Sequence, residues 1–560
     1  MRLPYGISNF LKLVEEGYYF VDRTNYIEEL ENEPEPYIFF LRPRRFGKSL
    51  MISILHHYYG LEHKTNFSKL FGKYYIGNHP TAKANSYYIL KFEFSRIDTI
   101  TPESTKHSFR INVLSGIYDF ETYYGYAHKD YGQNDEPANI LKRFFSEHFS
   151  KKIYLLIDEY DHFANEILSF RFEFFAEIVS RTGFVRKFYE TIKAATAEGI
   201  VDRLFVTGVT PITLDSLTSG FNIAANLSLK KKYNAMMGFT EREVKEILDT
   251  VCPESEDKNK VILDMRAWYN GYLFNIKGHE RVYNPDMVLY FCKELMRESA
   301  YPDNIIDFNI ASDYGKIRKL FDLKNGEQNY QVLDMLIQEN RLNGQITEQF
   351  SFEKPFSRDD FISLLFYMGF ITLQTEMLGE KKFQIPNFVL KGLYLQFFIE
   401  LVQIQSGLCF ETVDVRKFLI ALAQDNNPKP FLNLIENTLK RLSNRDFVQF
   451  NEKYIKALFV AFVSLVNLYY VKSEMEIDRK YPDLMLMYRP PFFPNYQFVF
   501  ELKYLKLSES EKLKDVTSAA INQIEKYLKT DEIKALKNLK AYVIVFVGTE
   551  VMVLNEVLKR

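Results

Sequence analysis

One stretch constrains the chain more than any other: Ile38-Phe39-Phe40-Leu41-Arg42-Pro43-Arg44-Arg45-Phe46-Gly47-Lys48-Ser49-Leu50. An apolar run ends at Arg42, a basic loop follows, and Gly47-Lys48-Ser49 opens a segment from Leu50 to Tyr59 with helical apolar spacing. Strand, loop and helix in that order make a phosphate-binding loop. Its backbone N–H groups and positive helix terminus hold phosphates, Lys48 reaches the outer ones, and the Ser49 hydroxyl meets Mg²⁺. Arg42 stands where the spacing G-x-x-x-x-G-K-[ST] has its first glycine, so the match needs support elsewhere.

Support comes from two later strands. Ile153-Tyr154-Leu155-Leu156-Ile157 ends in Asp158-Glu159, and Arg203-Leu204-Phe205-Val206 ends in Thr207-Gly208. At such strand ends the first acid holds Mg²⁺, the second orients or deprotonates a water, and a threonine can sense the terminal phosphate. Strands with polar carboxyl ends suit an open parallel sheet that binds its ligand there. Each piece alone reads equally as helix capping, because serine and acids are favoured in first turns. Together and in this order they point to ATP with Mg²⁺, held by Gly47, Lys48, Ser49, Asp158 and Thr207, with Glu159 on the hydrolytic water. Arg44 and Arg45 are near enough in sequence to contact phosphates.

At 560 residues the chain has room for three or four domains, each with its own core. Hydrophobic content of 47% and charged content of 26% fit a globular protein, and a net charge of −2 excludes an overall basic nucleic-acid coat. Cys252, Cys292 and Cys409 are scattered, which supports neither a disulfide framework nor a zinc site and suits a reducing compartment. The most lipid-like run, Ala457 to Tyr470, is too short for a span, and the first residues carry no apolar signal core. A cytoplasmic protein without a membrane partner is expected.

Along the chain, Tyr18 to Val21 reads as an aromatic strand, Asp22-Arg23-Thr24 as the cap of a helix through Leu30, and Tyr87 to Phe94 as a strand. The segment from Tyr160 to Ala197 reads as largely helical, and Leu214 to Asn226 as a loop beyond the third strand. Thr240 with Glu243 forms a capping box that starts a new helix near a domain change at residue 236. Helices at 330–339 and 358–368, then strands at 370–373 and 382–385 around Gly379, suggest a winged-helix module. As a structural connector it is favoured over direct DNA reading.

A second constellation lies near the end. Tyr481 to Met487 and Phe498 to Lys503 flank a proline-rich turn, so an antiparallel hairpin is expected in which Asp483 and Glu501 mirror one another about residue 492. Glu501 and Lys503 share a strand face. Two readings stand side by side: a solvent-facing ion pair, or two acids and a lysine that hold a divalent metal and cleave a phosphodiester. Flanking helices are expected at 452–467 and 516–527, with Tyr542 to Val547 as the last apolar strand.

These segments resemble a family of bacterial AAA-ATPase-like proteins that carry a C-terminal PD-(D/E)XK nuclease-like domain. The resemblance rests on the phosphate loop from Arg42 to Ser49, Gly17 to Thr24, Asp158 to Asp161, Trp268-Tyr269-Asn270-Gly271-Tyr272, Tyr283-Asn284-Pro285, Ile385-Pro386-Asn387, Asp483 and Glu501-Leu502-Lys503. It implies that Arg42 is normal for the group. It also implies that Asp483, Glu501 and Lys503 form the nuclease signature, with Gln523 and Tyr527 on a polar helix after it. Arg23 stands where the family has lysine, and Lys480-Tyr481-Pro482 where Gly-Arg is common.

The expectation is an α/β multidomain protein: a P-loop NTPase parallel sheet with a helical lid and a winged-helix-like connector, then an α/β restriction-endonuclease-like domain. The boundaries expected are 1–235, 236–325, 326–405 and 406–560. Its function would be ATP-dependent or ATP-regulated nuclease action with Mg²⁺ on Asp483 and Glu501, on nucleic acid, DNA before RNA. Defence or action on mobile DNA is the setting that this architecture suggests by analogy. The alternative is a signalling or scaffold ATPase whose last domain binds nucleic acid or protein without cutting. Further copies of the chain are also candidate partners.

Overall fold

In the computed structural model, which describes residues 2–132, 134–148, 150–170, 183–211, 223–252, 258–278, 280–314, 317–323, 326–350, 356–442, 450–473 and 482–558, the early apolar runs become five strands. They are β1 Tyr37–Leu41, β2 Tyr88–Glu93, β3 Ile153–Asp158, β4 Val201–Gly208 and the short β5 Ala225–Asn226, in the order β2-β3-β4-β1-β5. All the pairings are parallel, and β3 is buried along its whole length, as expected for a strand covered on both faces. Register does the functional work. Phe40 pairs with Thr207 and Ile157 with Val206, so Arg42, Asp158 and Thr207 come to one edge of the sheet.

The helix Lys48–Tyr59 follows the loop, capped by Gly47 at φ +90°, a left-handed conformation that glycine adopts without a Cβ clash. Met51, Ile52, Ile54, Leu55 and Tyr58 recur at helical spacing and are buried.

This sheet belongs to a compact unit formed by Met1–Arg297, Ile306–Asn329 and Asn343–Asn387. Within it the Thr240–Glu243 capping box starts the helix Glu241–Val251, and Glu243 Oε2 also accepts from Arg23 at 2.6 Å. Gly271, at φ +118°, lies so close to Pro386 that a Cβ would stand 2.0 Å from its carbonyl oxygen. Asn387 Nδ2 donates to Asn270 O at 3.0 Å, so two motifs far apart in sequence interlock. Short strands β6 Leu342–Gly344, β7 Thr372–Met377 and β8 Glu380–Gln384 form a sheet in the order β6-β8-β7 around the helix Arg358–Tyr367.

The second unit comprises Glu298–Ile305, Tyr330–Leu342 and Phe388–Arg560. Its sheet contains β9 Tyr469–Ser473, β10 Leu484–Tyr488, β11 Gln497–Leu505, β12 Leu539–Val547 and β13 Glu550–Glu556, in the order β13-β12-β11-β10-β9. Pairs Leu484–Phe500, Met485–Val499 and Leu486–Phe498 are centred on residue 492, the register the hairpin reading requires. The helix Leu513–Tyr527 connects β11 to its parallel neighbour β12, and Ala520 and Ile524 on it pack against Val499, Val543 and Val545.

Three local expectations are corrected. Tyr18 to Val21 is not a strand, because its backbone bonds go to Leu13 and Arg2 and its rings join an aromatic cluster, Phe20 meeting Phe10 and Tyr74. The last strand is β13, an edge strand with polar ends and an exposed Met552, which hides its pattern. Ala225–Asn226, read as loop, extends the sheet beside β1. Residues 171–175 of the aromatic helix, 214–222 of the loop and Lys480-Tyr481 lie outside the described residues.

Candidate functional site

A cavity of about 430 Å³, a size suited to a small ligand, opens over the phosphate loop. Its walls come from residues 4–8, 19–23, 44–51, 236–239 and 285–289, with Glu159 and His162 closing one side. Arg44, Arg45, Gly47, Lys48 and Ser49 all face it. Lys48 is buried, and its Nζ donates to Pro43 O at 3.0 Å, curling back over the loop. Burial lowers its pKa, against the pull of Glu159, Asp158 and Asp161.

Asp158 sits at the sheet edge with two hydroxyl donors, Ser49 and Thr207, the latter at 2.6 Å. Burial nonetheless raises its pKa. Thr207 is wholly buried and does not line the cavity; its hydroxyl is spent on Asp158. Glu159, at φ +51°, leans over the cavity with Oε2 3.2 Å from His162 Nδ1. Burial alone would push its carboxyl up, but His162, Lys48 and Arg44 outweigh it and bring it down to about 2.

Arg42 points away from the phosphates. Its guanidinium is buried, donates to the carbonyls of Leu41, Ser228 and Tyr233 at 2.9, 2.7 and 2.7 Å, and lies between the rings of Phe40 and Phe274. Burial lowers its pKa to about 9. Arg45, at φ +67°, reaches Asp286 at 3.4 Å, and Asn284 Nδ2 donates to Arg44 O at 3.4 Å. The Tyr283-Asn284-Pro285 motif thereby braces the loop.

The hairpin brings Asp483, Glu501 and Lys503 together. Asp483 Oδ2 accepts from Leu502 N at 2.9 Å, and Lys503 Nζ lies 2.9 Å from Glu501 Oε1 and 3.5 Å from Asp483 Oδ2. Glu501 is fully buried, and among the described residues Lys503 is its one ion-pair partner, at 2.9 Å from Oε1. Burial first, then the Asp483 charge, pushes its carboxyl up to about 7. For Lys503, burial works against the ammonium, but Asp483, Glu501 and Glu452 outweigh it and raise its pKa. Two buried acids side by side, each with lone pairs beyond its present donors, fit a divalent cation.

Residues 4–218 match the family model described as a predicted AAA-ATPase, and residues 450–556 match that of the PD-(D/E)XK nuclease superfamily. The chain joins an AAA-ATPase-like domain to a PD-(D/E)XK nuclease superfamily domain. These domains imply nucleotide binding and divalent metal use. An "uncharacterized protein in vnfD 5'region" of Azotobacter chroococcum mcd 1 is 30% identical over 325 residues, 55% of each chain, so this chain spans about half of that relative. The Aeropyrum pernix ORC2 protein, in ADPNP-ADP complexes, aligns over 70% of this chain and 98% of its own at 9% identity, TM-score 0.33. Drosophila ORC bound to poly(dA/dT) DNA and Cdc6 aligns over 82% and 60% at 12% identity, TM-score 0.23. No helix among the described residues is long and apolar enough to cross a membrane.

Asp161 entered the sequence reading only as the end of the Asp158–Asp161 motif, and the part played by Glu452 and Lys456 escaped it. Asp161 accepts from the N–H groups of Val209 and Thr210 and from the Thr210 hydroxyl, fixing the turn after β4. At the nuclease-like site, Glu452 and Lys456 lie four apart on the helix Glu452–Ser464. Lys456 Nζ is 2.6 Å from Asp483 Oδ1, and Glu452 Oε1 is 3.5 Å from Lys503 Nζ. Their signal is a Glu-x-x-x-Lys pair in a short charged head, with Lys453, before the apolar run Ala457 to Val463. Gln523 and Tyr527 bond to one another at 2.9 Å.

Proposed function

We propose that the protein is an ATP-regulated, Mg²⁺-dependent nuclease acting on DNA, in defence or on mobile elements. The carrying observation is Glu501: a fully buried carboxylate whose one ion-pair partner among the described residues is Lys503, with Asp483 beside it, so that lone pairs remain. Such a group is stabilised by a cation that fills those lone pairs. Asp483 and Glu501 would hold Mg²⁺, which supplies Lewis-acid charge to the scissile phosphate. Lys503 orients the attacking water, whose oxygen bonds to phosphorus as the sugar oxygen leaves. Lys456 holds Asp483 in place through a 2.6 Å contact.

In the first unit, Lys48, Ser49 and Gly47 bind the ATP phosphates with Arg44 and Arg45, and Asp158 with Ser49 holds a second Mg²⁺. Glu159, kept ionised by His162, orients the hydrolytic water. Thr207 acts through Asp158 as a positioning residue rather than as a phosphate sensor. The division 1–235, 236–325, 326–405 and 406–560 is retained as the proposed functional partition. The protein would work in the cytoplasm, alone or as a homo-oligomer.

The test is cleavage of a panel of DNA and RNA by wild type and Glu501→Ala, with Mg²⁺, with and without ATP. Cleavage lost in the variant and altered by ATP supports the reading. Cleavage by neither favours a scaffold ATPase, a second reading for which the Lys456 ammonium already neutralising Asp483 speaks.

A further inference from the structure

The helix Lys48–Tyr59 carries the phosphate-loop lysine and serine in its first turn and a different polar group in its last. His56 and His57 end the helix, Gly60 follows, and the 3₁₀ turn Leu61–Asn66 folds Glu62 and His63 back beside them. His56 Nε2 lies 2.7 Å from Glu62 Oε1, and His63 Nε2 lies 3.7 Å from the same oxygen. One ligand atom from each of the three side chains falls within 4.8 Å of the others. A tetrahedral ion bonded to nitrogen and oxygen at about 2.0–2.2 Å spaces its ligands by about 3.3 Å, inside that range.

Three further observations point to an ion. His63 Nε2 is buried and has no hydrogen-bond partner, a state that costs free energy unless something occupies the nitrogen. Gly60 has an ordinary negative φ, so its backbone does not require glycine, yet a Cβ there would stand 2.7 Å from both Glu62 carboxylate oxygens. The glycine makes room for the carboxylate. Glu62 Oε2 is fixed by the Tyr124 hydroxyl at 2.6 Å, leaving Oε1 turned to the two imidazoles, the arrangement by which outer partners orient metal ligands.

His57 completes the surroundings without joining the ligands. Its ring stacks on His63 at 4.3 Å, and its Nδ1 is held by Ser53 O at 2.7 Å.

We propose that His56, Glu62 and His63 bind one first-row divalent ion of the Zn²⁺ class, with the fourth position left to water. Two imidazoles with one carboxylate select such an ion over Mg²⁺, which prefers oxygen throughout. The ion ties the last turn of the phosphate-loop helix to the segment that follows it. The site is independent of the nucleotide and nuclease assignments.

The test uses the full chain, stripped by chelator and titrated with Co²⁺ in excess Mg²⁺, so that oxygen-rich sites are filled. One equivalent of Co²⁺ should give the intense visible band of a four-coordinate site, displaced by Zn²⁺, in wild type and in Glu501→Gln alike. His63→Gln should lose the band. Tyr124→Phe, which keeps all three ligands, should weaken affinity by about 10-fold or more. No band in the folded wild type, a band that survives His63→Gln, or, should His63→Gln fail to fold, unchanged affinity in Tyr124→Phe would overturn the proposal.

Discussion

Two clusters built from the same parts, two acids and a lysine beside a sheet, each hold a glutamate, and the neighbours leave the two glutamates in opposite electrostatic states. At the phosphate loop each acid has its donors: Asp158 takes Ser49 and Thr207, and Glu159 takes His162. At the hairpin, Asp483 takes Leu502 N–H and Lys456, whereas Glu501 is as deeply buried with Lys503 as its one ion-pair partner among the described residues. Glu159 is brought down to about 2 and Glu501 pushed up to about 7. Burial alone would raise both; the neighbours decide the sign. The first cluster is self-sufficient, and the second has a vacancy in its charge balance that suits a cation.

The sharpest way to break this contrast is Glu501→Ala. It is expected to lower Mg²⁺-dependent cleavage by about 10³-fold or more, the several kcal/mol a metal lends to a phosphate transition state, with nucleotide affinity unchanged. Wild-type cleavage in the variant would move the metal elsewhere. Lys48→Ala comes next, with a loss of roughly 10- to 100-fold in nucleotide affinity by calorimetry, the worth of a charge-assisted contact. Unaltered affinity there would take the phosphates off this loop.

Acidity separates the clusters further. Glu501 titrates near 7 when folded against 4.5 ordinarily, so its contribution to stability is full below about 4.5 and is lost as pH rises through 7. The metal-free unfolding temperature should therefore fall as pH rises from about 4.5 to about 7, and Glu501→Gln should flatten that fall. Glu159 has the reverse sign: its contribution is present above about 4.5 and lost as pH falls through 2. The smallest effect is Thr207→Val, which removes one donor from Asp158 at a cost of about 1–2 kcal/mol and should slow nucleotide hydrolysis with little change in affinity. A pure affinity loss would instead mean that Thr207 meets the nucleotide.

What the sequence disclosed was mostly what lies along one strand or across one turn. The apolar runs ending at Arg42, Asp158 and Thr207 read directly as parallel strands, and the even spacing about residue 492 placed Asp483 opposite Glu501. Side chains that arrive from another element did not announce themselves. Lys456 reaches Asp483 from a helix, and its sequence neighbours are the apolar residues of a buried face. The aromatic run at Tyr18 to Val21 has strand propensity, but tertiary packing of Phe20 against Phe10 and Tyr74 overrides it. β13 was missed because an edge strand needs only one apolar side.

Arg42, at the position of the missing first glycine, has a consequence for how this loop can change over generations. Its guanidinium serves the carbonyls of Leu41, Ser228 and Tyr233 and fills the space between Phe40 and Phe274. Glycine at this position would remove the guanidinium from all three carbonyls, leaving Tyr233 O with Met236 N alone, and would open a hole between two rings, each loss costing on the order of 1–3 kcal/mol. Lysine cannot reproduce a planar fork that donates in three directions. The loop therefore accepts another residue at this position only together with changes around it, although Arg42 itself does not line the cavity.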